Sequence, residues 1–265
     1  MVTVDKVFSY LNELFPLENK IESDNPGFLV GRGDREVTRI MVALDITPEV
    51  IEESVEWGAE LIVSHHPVIY SGLLSVTDND FTGERVLKLA ECGISAICMH
   101  TNADISQGGV NDLLAARIGL KDVETVADTS LSPLGDRGVC RIGNMSVSMQ
   151  VEQFAPYVAK ALGGNGVKYY SSGKPVKRVA VGGGSCGVYI ALVAAAGCDT
   201  FVTSDVKHGQ ILEAKWRGIN ILDAGHFATE DVLCPAIVDH LSKRFTSVEV
   251  KKSERLADPM RYVGV

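Results

Sequence analysis

Two adjacent histidines, His65 and His66, follow the apolar run Leu61–Ser64 and are closed off by Pro67. A second group, His100-Thr101-Asn102-Ala103-Asp104, follows the apolar stretch 94–99. A third, Asp223 to Glu230, follows the stretch 219–222 and carries His226. Imidazole nitrogens and carboxylate oxygens together form the donor set of zinc, iron and manganese. Neighbouring side chains on extended backbone point to opposite sides, so His65 and His66 are predicted to reach two ions more readily than to chelate one. Asp104 offers a hard oxygen. His226 and Glu230 share a face of a helical turn, and Gly225 before them allows a close backbone approach. Each group also has a plainer reading: a surface histidine pair, an Asx-type turn ahead of a helix, and a first-turn helix acid favoured by the helix dipole. Together, His65, His66, Asp104, His226 and Glu230 suit two divalent ions with a bridging carboxylate. Two such ions outweigh two carboxylates and leave a pocket of about +2. That pocket suits an anionic small molecule such as a phosphate ester or nucleotide.

These residues sit where an alternating α/β pattern places ligands, beyond the carboxyl ends of strands. Strands are predicted at 37–44, 61–64, 94–99, 176–181, 200–203 and 219–222. Helices are predicted at 3–15, 48–57, 84–91, 109–118, 188–196, 209–216 and 231–244. Thr47 suits the cap of the helix at 48–57, Pro48 its first position and Gly58 its stop.

The two halves of the chain also align without a gap. Val37 falls on Val176, Arg39 on Arg178, Val42 on Val181, Ile51 on Ile190, Gly58 on Gly197 and Val63 on Val202. His66 falls on Asp205. The expectation is two related α/β lobes, 1–127 and 176–265, joined by a connecting segment at 128–175, with the metal site in the cleft between them.

Composition narrows the function classes. Of 265 residues, 46% are hydrophobic and 22% charged, which is globular rather than disordered. The formal net charge of −9 argues against a nucleic-acid or anionic-membrane surface. The longest apolar stretch, Ile190–Ala196, is far shorter than the roughly 18 to 20 residues of a membrane span. The N-terminus lacks the basic-apolar-small order of a signal peptide. Six cysteines, none in C-x-x-C, read as reduced thiols of a cytoplasmic protein.

Gly182-Gly183-Gly184-Ser185-Cys186-Gly187 offers a rival, because it satisfies G-x-G-x-x-G between a strand and a helix. Asp199 and Asp205 stand near the acidic position of a dinucleotide site. The equivalent turn of the first half, Ala43-Leu44-Asp45, is not glycine-rich. The glycines are therefore read as a tight turn lining the cleft, with phosphate contact through backbone N–H groups as an addition. No Walker A lysine follows.

The segments SHHPVIYSG, MHTNADISQGGVNDLLAARIGL and TSDVKHGQILEAKWRGINILDAGHFATE resemble the GTP cyclohydrolase I type 2 family, also called Nif-three-like. The resemblance spans residues 25 to about 245. It implies two α/β lobes with a dinuclear metal site in the cleft, assembled as ring-shaped hexamers. Carried over by motif, the ligands are His65, His66, Asp104, His226 and Glu230, with Glu230 the bridge. The family has Gly where Ser204 stands and a bulky apolar residue where Ala103 stands. Neither is a ligand. The chain lacks the long domain that some members insert between the lobes. The implied activity is hydrolysis, in which metal-bound hydroxide attacks C8 of GTP and opens the imidazole ring, with His100 or His208 shuttling protons. The alternative is a non-enzymatic, metal-binding regulatory or interaction protein.

Overall fold

The computed structural model describes residues 1–126 and 138–263. In chain order the strands are β1 (Gly27–Val30), β2 (Arg39–Ala43), β3 (Leu61–Ser64), β4 (Ser95–Cys98), β5 (Lys121–Thr125), β6 (Arg141–Met149), β7 (Lys168–Tyr170), β8 (Val176–Val181), β9 (Thr200–Thr203), β10 (Asn220–Asp223) and β11 (Glu249–Lys252). The helices are α1 (Val4–Leu14), α2 (Pro48–Trp57), α3 (Phe81–Glu91), α4 (Thr101–Ile105), α5 (Val110–Ile118), α6 (Val151–Leu162), α7 (Ile190–Ala195), α8 (His208–Arg217), α9 (His226–Glu230) and α10 (Leu233–Arg244).

The chain forms two compact units, each with its own sheet. The first comprises Met1–Ser106 and Leu233–Ala257. Its sheet has the order β1-β4-β3-β2-β11. All pairs are parallel except β1 with β4. Met41, Ile62 and Ala96 pack with Ile51 of α2 and Leu89 of α3. The short helix α2 forms as its sequence dictates. The Thr47 hydroxyl accepts from the Val50 N–H, Pro48 occupies the first turn, and Gly58 ends it at φ 77°.

The second unit comprises Gln107–Val232 and Asp258–Val265. Its sheet has the order β5-β6-β8-β9-β10-β7, parallel through β8, β9 and β10 and antiparallel elsewhere. Successive residues alternate between two cores. Val179, Val181, Val202 and Leu222 pack with Leu114 of α5 and Phe154 of α6. Ala180, Phe201 and Ile221 pack with Ile190 of α7 and Ala214 of α8. A sheet covered on both faces explains the unbroken apolar strands.

This division differs from the expected one. Helix α10 and strand β11 belong to the first unit, where β11 pairs parallel with β2 from Glu249↔Arg39 to Lys252↔Val42. Within the supposed connector, β6 pairs with β8 and β7 with β10, with α6 between them, so its described part belongs to the second unit rather than forming a linker. The boundary expected at 127/128 lies outside the described residues.

The internal repeat extends into the hydrogen bonding. Strands β2 and β3 pair as Ile40↔Leu61 and Val42↔Val63; β8 and β9 pair in the equivalent register, Val179↔Thr200 and Val181↔Val202. The Glu60 carboxylate accepts from the N–H groups of Thr38 and Arg39, both at 2.9 Å. Asp199, its counterpart, accepts from Lys177 at 3.0 Å and Arg178 at 2.7 Å. Burial would raise the Glu60 carboxyl, but these N–H groups and the Thr38 hydroxyl hold it below the ordinary range. Arg39 donates to the Trp57 carbonyl, and Arg178 to that of Ala196 at the equivalent place.

Candidate metal centre

In the first unit the chain leaves β3 at Ser64 and presents His65 and His66 with their N–H groups still bonded to the carbonyls of Ala43 and Leu44. His65 is fully buried. Its Nδ1 lies 2.8 Å from the Met99 carbonyl, which can only accept, so Nδ1 carries the proton and Nε2 the lone pair. His66 Nδ1 stands 2.7 Å from Asp45 Oδ1, and His100 Nδ1 stands 2.8 Å from Asp24 Oδ1. Ligand nitrogens of His65, His66 and His100 lie within 4.8 Å of one another. The ring centroids of His65 and His66 are 5.0 Å from each other. Asp104, on the short helix α4, brings Oδ1 to 3.5 Å from His65 Nε2. A carbonyl or carboxylate on the far ring nitrogen is the usual outer partner of a metal-binding histidine. A lone-pair nitrogen beside a carboxylate oxygen is a donor set that fits a cation.

Asp24 and Asp45 were not legible as site residues. Asp24 is buried, and Oδ2 accepts from the Thr101 N–H at 3.1 Å. Burial would raise its carboxyl, but the hydrogen bonds from His100 and Thr101, with the His100 charge, hold it at about 2. The only sequence signal was the turn-forming Asp24-Asn25-Pro26.

In the second unit Asp205 follows β9 in the place that His66 holds after β3. It adopts φ 51°, a conformation Asp tolerates better than most side chains. Asp205 Oδ2 lies 2.7 Å from His226 Nδ1, so here the carboxylate orients the ring. One turn along α9, the buried Glu230 places Oε2 2.9 Å from His226 Nε2. The shared face expected of His226 and Glu230 is present.

The glycine turn shapes this half of the site. Gly184 has φ 60°, and a Cβ there would come within 2.0 Å of Glu230 Oε1. The Gly183 N–H donates to Asn111 Oδ1 at 2.7 Å, and that of Gly184 to Thr229 Oγ1 at 3.1 Å. The Cys186 N–H donates to Thr203 Oγ1. Ser204, singled out as a departure from the family, donates its hydroxyl to the Gly184 carbonyl at 2.6 Å. The turn therefore spends these N–H groups on its own fold, and Asp199 caps β8. Neither serves a dinucleotide. His208 opens α8 as an exposed residue and joins neither cluster among the described residues.

The fold is thus a two-sheet α/β chain whose strand ends carry buttressed histidines and carboxylates in groups that could hold a metal ion. The chain belongs to the Duf34/NIF3 (NGG1p interacting factor 3) family, which it matches over residues 2–259. A Streptomyces coelicolor protein named GTP cyclohydrolase 1 type 2 homolog is 34% identical, covering 98% of this chain and 94% of its own. A Clostridium perfringens protein of the same name is 28% identical, covering 98% and 99%. Among solved structures, a Bacillus cereus protein related to NIF3 superposes with a TM-score of 0.92 at 22% identity, covering 99% of each chain. That likeness shows the fold. No helix among the described residues is long and apolar enough to cross a membrane.

Proposed function

We propose that His65, His66, Asp104, His226 and Glu230 hold two divalent ions and that the protein hydrolyses an anionic small molecule, with GTP the first candidate. The observation that carries this reading is the orientation of the imidazoles. His65, His66 and His226 each have Nδ1 engaged by a carbonyl or carboxylate, the outer contact that fixes the ring of a metal-binding histidine. Zinc, iron or manganese suits these donors. Ions held there would supply Lewis acidity and lower the pKa of water. The chain's own part is to fix the nitrogens, supply the Asp104 and Glu230 carboxylates, and hold the Glu230 carboxylate against the Gly184 turn. His100, fixed by Asp24, is placed to exchange a proton. The names of the relatives support GTP, and a net positive centre in a chain of formal charge −9 supports an anion. Incubation of the metal-loaded protein with GTP, with and without chelator, tests the reading. Chelator-sensitive ring opening or phosphate release is the expected result. Metal binding without turnover would favour the regulatory or interaction role instead.

A further inference from the structure

A cavity of about 80 Å³ opens in the second unit where edge strand β7 meets β10 and α8. Its walls are Tyr170, Val206, Ile211 and Ile221, and its polar rim is Lys168 and Asp223. Lys168 and Asp223 face each other across the β7–β10 register, with Nζ 2.9 Å from Oδ2. The Asp223 side chain is nine-tenths buried and also accepts from the Val206 and Gly225 N–H groups at 3.3 Å each. These bonds fix the carboxylate, whereas the Lys168 side chain is largely exposed and free to swing. The rim therefore sets one fixed acceptor beside one movable donor, at the mouth of an apolar slot.

We propose that this cavity receives a nitrogen heterocycle carrying a hydrogen-bond donor next to an acceptor on one edge, as a nucleobase does. The ring N–H meets the Asp223 carboxylate and the adjacent carbonyl meets the Lys168 ammonium. The volume admits one six-membered ring, so a purine enters by that edge and leaves its five-membered ring and sugar outside. Val206 and Asp223 line the cavity; Val206 directly follows Asp205, and Asp223 stands three residues before His226. The part of the base left outside thus lies on the side of His226. This proposal rests on the nucleotide reading above and names the element that would recognise the base.

The test is binding of guanosine, which has no phosphate, to the metal-loaded protein by calorimetry. Its partner is N1-methylguanosine, in which the donor is blocked. Guanosine should bind, and N1-methylguanosine at least about tenfold more weakly, because a hydrogen bond to a charged group is lost. Lys168→Met should weaken guanosine by a similar factor. Ile211→Trp, which fills the slot without touching a charge, should abolish binding while metal content and melting temperature stay unchanged. Equal affinity for the two nucleosides, or wild-type affinity in Ile211→Trp, would overturn the proposal. The two readings fail separately. Guanosine binding without any GTP turnover would remove the hydrolase and keep the cavity, whereas unimpaired GTP turnover in Ile211→Trp would do the reverse.

Discussion

Gly184→Ala separates what the glycine turn does for the fold from what it does for the site. Gly184 sits at φ 60°, where an L side chain costs roughly 1–2 kcal/mol. Its Cβ would also stand 2.0 Å from Glu230 Oε1 and 2.9 Å from Glu230 Cδ. The first conflict is with the far end of a side chain, so Glu230 yields by rotating rather than by unfolding the unit. Gly197 is the control. It has φ 77° and nothing within 4 Å of its added Cβ, so Gly197→Ala carries the backbone cost alone. The two variants should therefore differ by less than about 1 kcal/mol in unfolding free energy by urea titration. They should differ greatly in metal affinity. Displacing Glu230 should weaken binding at least as much as losing an outer partner does, about 10- to 100-fold. Competition with a chromophoric chelator measures this. Equal metal affinity in Gly184→Ala and Gly197→Ala would refute the assignment of the turn as the seat of Glu230.

Other outcomes follow from the same geometry. Glu230→Ala should lose both ions, because a bridge serves both, whereas His66→Ala should weaken mainly one; equal partial losses, read by metal analysis, would remove the bridging role. Asp45→Asn should lower metal affinity about 10- to 100-fold with little change in melting temperature, since Asp45 is partly exposed and its work is to orient His66. Asp24 has a carboxyl pKa depressed from 3.8 to about 2, so its contribution is complete above pH 4 and lost as pH falls through the folded value. That shift corresponds to about 2 kcal/mol. Urea titrations of metal-free protein from pH 5 to 2 should show this loss in the wild type and a shallower one in Asp24→Asn.

The parts of the fold legible in the sequence are those whose side chains declare their burial. LIVS at β3, with Thr47, Pro48 and Gly58 bounding α2, announce a parallel α/β unit, and the five candidate ligands follow from where such strands end. Strand β11 announces nothing. Its residues, Glu-Val-Lys-Lys, are mostly polar, and it joins the first sheet through backbone pairing with β2. Helix α10 reads as apolar, but nothing local says that Ile237 and Leu241 bury beside β2 and β11 instead of the strands that precede them. Strand β7 is three residues long and its place at a sheet edge depends on β10. Asp24 and Asp45 were missed as site residues, and Asp205 was not read as the partner of His226, for a related reason. Each matters because of a histidine distant in sequence, and single residues in turns carry no signal of that partner.

Metal content per chain, measured on protein purified without chelator and again after saturation with zinc, iron or manganese, bears most directly on the central claim. Two ions per chain, falling below two in both His66→Ala and Glu230→Ala, is the result expected of a dinuclear centre built from His65, His66, Asp104, His226 and Glu230. Saturation at one ion with every metal, or two ions retained in Glu230→Ala, would contradict it.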